Sequence, residues 1–243
     1  MQQLPWHEHI AKNTDEVIAK IKQQKDCLLN NPILPMPDFS ELLKFALYHY
    51  WSYCESVNVF LVVGTDYSKF QGMSWINLLN TDKKMQANLR LLMSNPDYYF
   101  SADKKIPDIY FVKIDDEIYV SEDGNLRTAI AKVLFYFTGN SVLHGIDYNE
   151  FRFDHEMFNL FEELKILIAE RRLPMEVIPV KKTVKRDDTP GWMKEYYENA
   201  FKIKDYKTKT ETLLNKKQAK EYLDKLKKKS RKFSLWSLFK AIL

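Results

Sequence analysis

The stretch IPDIYFVKIDDEIYVSEDGNLRTAIAKVLFYF, residues 106–137, decides the fold of this chain. IYFVKI (109–114) and EIYVSE (117–122) are short runs rich in β-branched and aromatic residues, and Asp115–Asp116 between them reads as a hairpin turn. Asp123–Gly124–Asn125 follows at once. Ala129, Ile130, Val133, Leu134 and Phe137 then recur at helical spacing across 126–137. The order is strand, strand, sharp turn, helix. The chain holds only 6 glycines, so one at this corner points to a positive φ and to backbone amides that a ligand can approach without a Cβ in the way. A helix starting there offers unbonded N–H groups and the positive end of its dipole to an anion. Arg127 in the first turn opposes that dipole, and a phosphate held bidentately by its guanidinium would repair the mismatch. Gly124, Asn125, Arg127 and Thr128 are the candidate phosphate-binding residues. The plain alternative is a capped turn with Arg127 facing solvent.

The same stretch resembles the ParB/sulfiredoxin-like superfamily, whose members carry a β-hairpin followed by a Gly-x-His-Arg-type motif that opens a helix. The ParB-like signature D-G-N-H-R-T-A-x-A-K reads here Asp123, Gly124, Asn125, Leu126, Arg127, Thr128, Ala129, Ile130, Ala131, Lys132. The similarity covers roughly residues 90–180 and extends to plasmid fertility-inhibition proteins of this fold. It implies binding of nucleotide or DNA phosphates, a plasmid or phage setting, a nucleoside triphosphate as a possible ligand, and nuclease or nucleotide-hydrolase activity in some members. Two departures matter. Sulfiredoxins place a reactive cysteine directly after the glycine, where this chain has Asn125, which argues against sulfinic-acid reduction. Leu126 replaces the family histidine, which puts catalysis in doubt and leaves the phosphate cradle plausible.

A nuclease needs carboxylates converging beside the phosphate to hold Mg²⁺ or Mn²⁺ and orient water. Glu122 and Asp123 border the corner and are the candidate catalytic and metal-binding pair. Asp115 and Asp116 read more simply as turn formers. His144 and His155 are candidates for proton transfer. No Walker-type GxxxxGK[ST], GxSxG, HExxH or CxxC pattern occurs.

Working outward, residues 14–29 read as a helix with Thr14 and Asp15 able to cap it. After the breaks at Pro32, Pro35 and Pro37, a second helix is expected from Asp38 or Ser40 through Tyr50. NVFLVVG (58–64) is either a buried strand or the end of that helix. Lys83–Met93 is amphipathic and stops at Asn95–Pro96. Beyond the corner, Gly139–Asn140 ends the helix, Phe158–Ile168 forms another, and MEVIPV (175–180) is a short strand placed at an edge by Pro179. The sequence thus predicts an α+β protein: a helical N-terminal region (1–100), a ParB/sulfiredoxin-like domain (101–185) and a basic helical tail (186–243).

The net charge of +4 is unevenly spread. From Lys204 to Lys232 there are twelve Lys/Arg against four Asp/Glu, a surplus of +8, so the remainder carries −4. Lys216, Lys217, Lys220, Lys227, Lys228, Lys229, Arg231 and Lys232 form a candidate nucleic-acid-binding stripe. The closing FSLWSLFKAIL, with Phe233, Trp236, Phe239 and Leu243 near one face, suits either a protein partner or an anionic membrane surface. Cys27 and Cys54 sit in apolar surroundings without metal spacing and read as buried reduced thiols. With neither a signal-peptide pattern nor an apolar run of membrane-spanning length, the expectation is a cytoplasmic protein whose partner is DNA or a nucleotide.

Overall fold

The computed structural model describes residues 5–240, with side chains as far as residue 228. Its elements in chain order are α1 (Trp6–Lys12), α2 (Thr14–Lys22), β1 (Leu34–Pro35), β2 (Ala46–Asn58), β3 (Val62–Thr65), α3 (Lys83–Ser94), α4 (Asp97–Phe100), β4 (Tyr110–Ile114), β5 (Glu117–Ser121), α5 (Asn125–Thr138), β6 (Val142–Phe153), α6 (His155–Glu170), β7 (Met175–Thr189), β8 (Trp192–Asp205), β9 (Thr210–Leu214) and α7 (Lys216–Lys240). The protein is mixed α and β, with strands that pair both parallel and antiparallel. The chain packs into two units: residues 1–38, 50–151 and 188–194 form the first, and residues 39–49, 152–187 and 195–243 the second.

In the first unit the strand order is β1-β3-β5-β4-β6-β2. β4 and β5 form the expected antiparallel hairpin, with Tyr110 opposite Ser121 and Ile114 opposite Glu117. Asp115 sits at φ 54 in its turn, a left-handed conformation that Asp tolerates. β3 joins β5 and β6 joins β4, both in parallel. α5 is buried on nearly every side: Ala129, Ile130, Ala131, Val133, Leu134 and Phe135 are each at most 1% exposed. Its end at Gly139, φ 76, falls where the sequence placed it. α3 also follows expectation. The Asp82 carboxylate accepts from the Met85 amide at 3.0 Å to cap it, and Met85, Leu89 and Leu92 are buried.

Several expectations are corrected here. The aromatic run 46–58 is strand β2, preceded by a short 3-10 turn at Leu42–Phe45, where a helix was expected. With apolar or aromatic residues crowded at 46–48, 50, 51, 53 and 54, the run fits a 3.6 period and a 2 period about equally, and Tyr, Trp and Val favour the pleated surface. Cys54 lies exposed on that strand, while Cys27 is buried. NVFLVVG divides into a 3-10 turn (Val59–Leu61) and β3. The region 1–100 is no separate helical lead-in, since most of it folds with residues 101–151 in one unit. β6 was not anticipated. Its Gly145 has φ +71, and a Cβ there would come within 2.0 Å of the Asp103 carbonyl oxygen, so the 101–105 loop lies directly on the strand.

In the second unit α6 and α7 cover β8 and its antiparallel partner β9, around Phe45, Met157, Phe161, Leu164, Phe201 and Leu223. The Phe45 ring lies 5.4 Å from that of Phe161 and 6.3 Å from that of Phe201. The expected tail at 186–243 is also corrected: residues to Leu214 are strand-rich, and the helix begins only at Lys216. Strongly charged strands such as KKTVKRDDT escape a hydrophobic pattern because both faces are largely exposed.

Candidate functional site

At the corner itself, Gly124 has φ 116 and ψ −3 and precedes the first turn of α5. The positive φ expected from the sequence is present, for an additional reason. A Cβ on Gly124 would sit 2.7 Å from Cγ2 of Ile109, so the glycine lets the corner close on the hairpin. Gly124→Ala is expected to cost about 2–4 kcal/mol, from left-handed strain plus overpacking. A thermal unfolding midpoint equal to that of the wild type would contradict this.

Asp123 is held by two contacts: Oδ1 accepts from the Gly124 amide at 2.6 Å and Oδ2 from Nη2 of Arg127 at 2.7 Å. Arg127 is only 8% exposed. Its Nη1 donates to the Tyr98 hydroxyl at 3.1 Å and to the Pro107 carbonyl, and its Nη2 also donates to the Asp108 carbonyl at 2.9 Å. The Tyr98 hydroxyl in turn donates to Pro107 O at 3.1 Å. Burial raises the Tyr98 pKa, with the nearby guanidinium opposing the shift. Arg127 is therefore the strut that ties α5 to the 98–108 segment, and its donors point at protein. This differs from the expected bidentate phosphate clamp. The physical reason lies outside the signature, in the carbonyls of Pro107 and Asp108.

The other corner residues fare differently. The Thr128 amide donates to Gly124 O at 2.8 Å, and its hydroxyl is fully buried without a hydrogen-bond partner. Asn125 is 8% exposed, and its Oδ1 is likewise buried without a partner. The Asn125, Leu126 and Arg127 amides belong to the unbonded first turn of the helix. All three residues line a cleft of about 740 Å³.

Most of that cleft comes from residues the sequence did not single out. Tyr67, Lys69 and Phe70 form one wall, with the Tyr67 ring 4.9 Å from Phe70 in edge-on contact. The exposed face of α3 forms another through Lys84, Asn88, Leu91 and Asn95. Their spacing is a helical stripe roughly 100° around the helix from that of Met85, Leu89 and Leu92, with Leu92 also reaching the cleft, and this second stripe was the readable signal. Ile106 and Pro107 close the rim. Lys69 is paired with Asp82 at 3.0 Å. No ion pair involves Lys84 among the described residues, and Glu122 stands at the mouth with its amide held by Asp66 at 3.0 Å.

For a metal, Glu122 and Asp123 adjoin in sequence, but Asp123 has both oxygens engaged. Among the described residues no group of three or more His, Cys, Asp and Glu side chains is placed to hold a metal ion. His144 bonds to Ser56 at 2.8 Å, and His155 belongs to the second unit. Neither lines the cleft.

The basic stripe on α7 is partly spent on packing. Lys216 pairs with Asp154 at 2.7 Å and with Glu156 at 3.5 Å, Lys220 reaches Glu156 at 4.0 Å, and Lys227 pairs with Glu163 at 2.7 Å. Lys217 and Lys228 are exposed. Side chains of Lys229, Arg231 and Lys232, and of Phe233, Trp236, Phe239 and Leu243, lie outside the described residues. No described helix is long and apolar enough to cross a membrane. Comparison with protein-family models, with curated proteins and with solved structures gives no match.

Proposed function

We propose that the protein binds a nucleotide, free or as part of a nucleic-acid strand, in the cleft at the start of α5, and that it does so without cleaving it. The observation that carries this reading is the first turn of α5, where three helix amides without intrahelical partners and Asn125, its Oδ1 buried and unpartnered, line an aromatic-walled space of about 740 Å³. Helix N-termini attract phosphate, aromatic rings accept bases, and a volume in this range suits a small ligand. The ParB/sulfiredoxin-like resemblance, with its plasmid or phage setting, agrees with this use of the corner. Cleavage is left out because Leu126 carries no transferable proton and Asp123 is committed to Gly124 and Arg127.

Lys84 and Tyr67 are exposed, so Lys84→Glu and Tyr67→Ala should leave the fold intact and weaken binding. Fluorescence polarisation with labelled nucleotides and with short single-stranded DNA reads this directly. At least a tenfold loss is expected in each variant, with wild-type melting behaviour. Binding unchanged in both would overturn the assignment of the cleft.

A second reading is favoured by Leu91 and Ile106, which are 63% and 80% exposed at the cleft rim. A non-catalytic interaction protein would lay a partner's apolar segment there. Wild-type protein that binds neither nucleotide nor DNA would favour it.

A further inference from the structure

We infer that the ligand is a one-phosphate nucleotide, in the form of a nucleoside monophosphate or the phosphorylated end of a strand, and that a triphosphate is disfavoured. This rests on the nucleotide reading above and adds the charge and hydrogen-bonding demands of the cleft.

Three cations line the cleft, Lys69, Lys84 and Arg127, and three carboxylates, Asp82, Glu122 and Asp123. Two of the cations are already paired, Lys69 with Asp82 at 3.0 Å and Arg127 with Asp123 at 2.7 Å. What remains for an anion is Lys84, one helix N-terminus with about half a positive charge, and Glu122 opposing both. These sum to about +0.5, which a single terminal phosphate, at about −1.5 to −2, already exceeds. A polyphosphate chain would bring further negative charge into a cleft whose formal total is zero, close to Glu122.

The neutral part of the ligand is constrained as well. Asn125 lines the site, and its Oδ1 is buried without a partner, a state that costs free energy. A ribose hydroxyl, which both donates and accepts, can bond to whichever end of the amide faces the cleft, and in a 5′-phosphate it lies close to the phosphate held by the helix. The half-exposed Tyr67 ring then offers a face to the base.

The test is a titration of full-length protein with AMP, CMP, GMP and UMP, their triphosphates with and without Mg²⁺, the free nucleosides, and an oligonucleotide with or without a 5′-phosphate. One monophosphate, or the 5′-phosphorylated oligonucleotide, is expected to bind at least tenfold tighter than the matching triphosphate and than the unphosphorylated form. Whichever of the two binds tighter identifies the source of the phosphate. Tyr67→Ala should weaken that binding about tenfold, while Glu122→Gln should raise triphosphate affinity several-fold and narrow the gap. Asn125→Ala should weaken binding without lowering the melting temperature of ligand-free protein. A triphosphate that binds as tightly as its monophosphate overturns the one-phosphate inference and leaves the nucleotide reading standing. Absence of binding by every nucleotide and oligonucleotide overturns both.

Discussion

Arg127→Ala is expected to destabilise the first unit by about 3 kcal/mol, a larger loss than removal of a surface ion pair would give. The pair with Asp123 contributes little, because that carboxylate is 67% exposed and water replaces the guanidinium there. The loss comes from the acceptors left behind: the Pro107 and Asp108 carbonyls and the Tyr98 hydroxyl all take a hydrogen bond from one planar cation. Bonds to a charged donor contribute about 1.5–3 kcal/mol each, and part of that is recovered when water from the adjacent cleft enters. Arg127→Lys should recover only a fraction, since a single ammonium cannot span acceptors fixed for a planar fork. Urea unfolding of wild type, Arg127→Ala and Arg127→Lys measures the series. An alanine variant within about 0.5 kcal/mol of wild type would mean that the guanidinium is not a strut.

The second large effect has the opposite sign. Lys132 is 2% exposed on α5, donates only to the Val62 carbonyl at 2.8 Å, and lies 4.5 Å from the centre of the Trp75 ring. Burial pulls its pKa down from 10.5 to about 7. Above about pH 10.5 the amine is neutral whether the chain is folded or not, and Lys132 imposes no penalty. As pH falls towards 7, the unfolded chain takes up a proton that the folded chain refuses, and the penalty grows by about 1.4 kcal/mol per pH unit. Below pH 7 it is complete, at about 5 kcal/mol. Lys132→Met removes it, loses the bond to Val62 O, and should stabilise the protein at pH 7 by about 2–4 kcal/mol. The advantage should shrink steadily between pH 7 and 10. Unfolding curves at each pH check this, and a variant less stable than wild type at pH 7 would contradict it.

The sequence announced the corner and left its walls silent. The hairpin and α5 were legible because Asp-Asp and Asp-Gly-Asn are strong local turn signals between clean β and helical runs. Lys132 and Arg127 looked like ordinary signature residues. Their burial depends on Trp75, Val62 and the 98–108 segment, which no local pattern brings to α5. β2 was misread because its closely spaced apolar and aromatic residues, Ala46, Leu47, Tyr48, Tyr50, Trp51 and Tyr53, satisfy either period, and β8 because its charges hide a half-buried strand. The cleft walls at Tyr67–Phe70 and on the outer face of α3 are distant in sequence from Gly124, and the site exists only after the first unit has folded.

The most direct measurement follows the backbone amides of Asn125, Leu126 and Arg127 in ¹H–¹⁵N spectra while a nucleoside monophosphate is added. Those three resonances, with that of Tyr67, should move together and saturate at one concentration. Shifts confined to α7, or none at all at the three amides while the nucleotide binds elsewhere, would show that the start of α5 is not where phosphate is held.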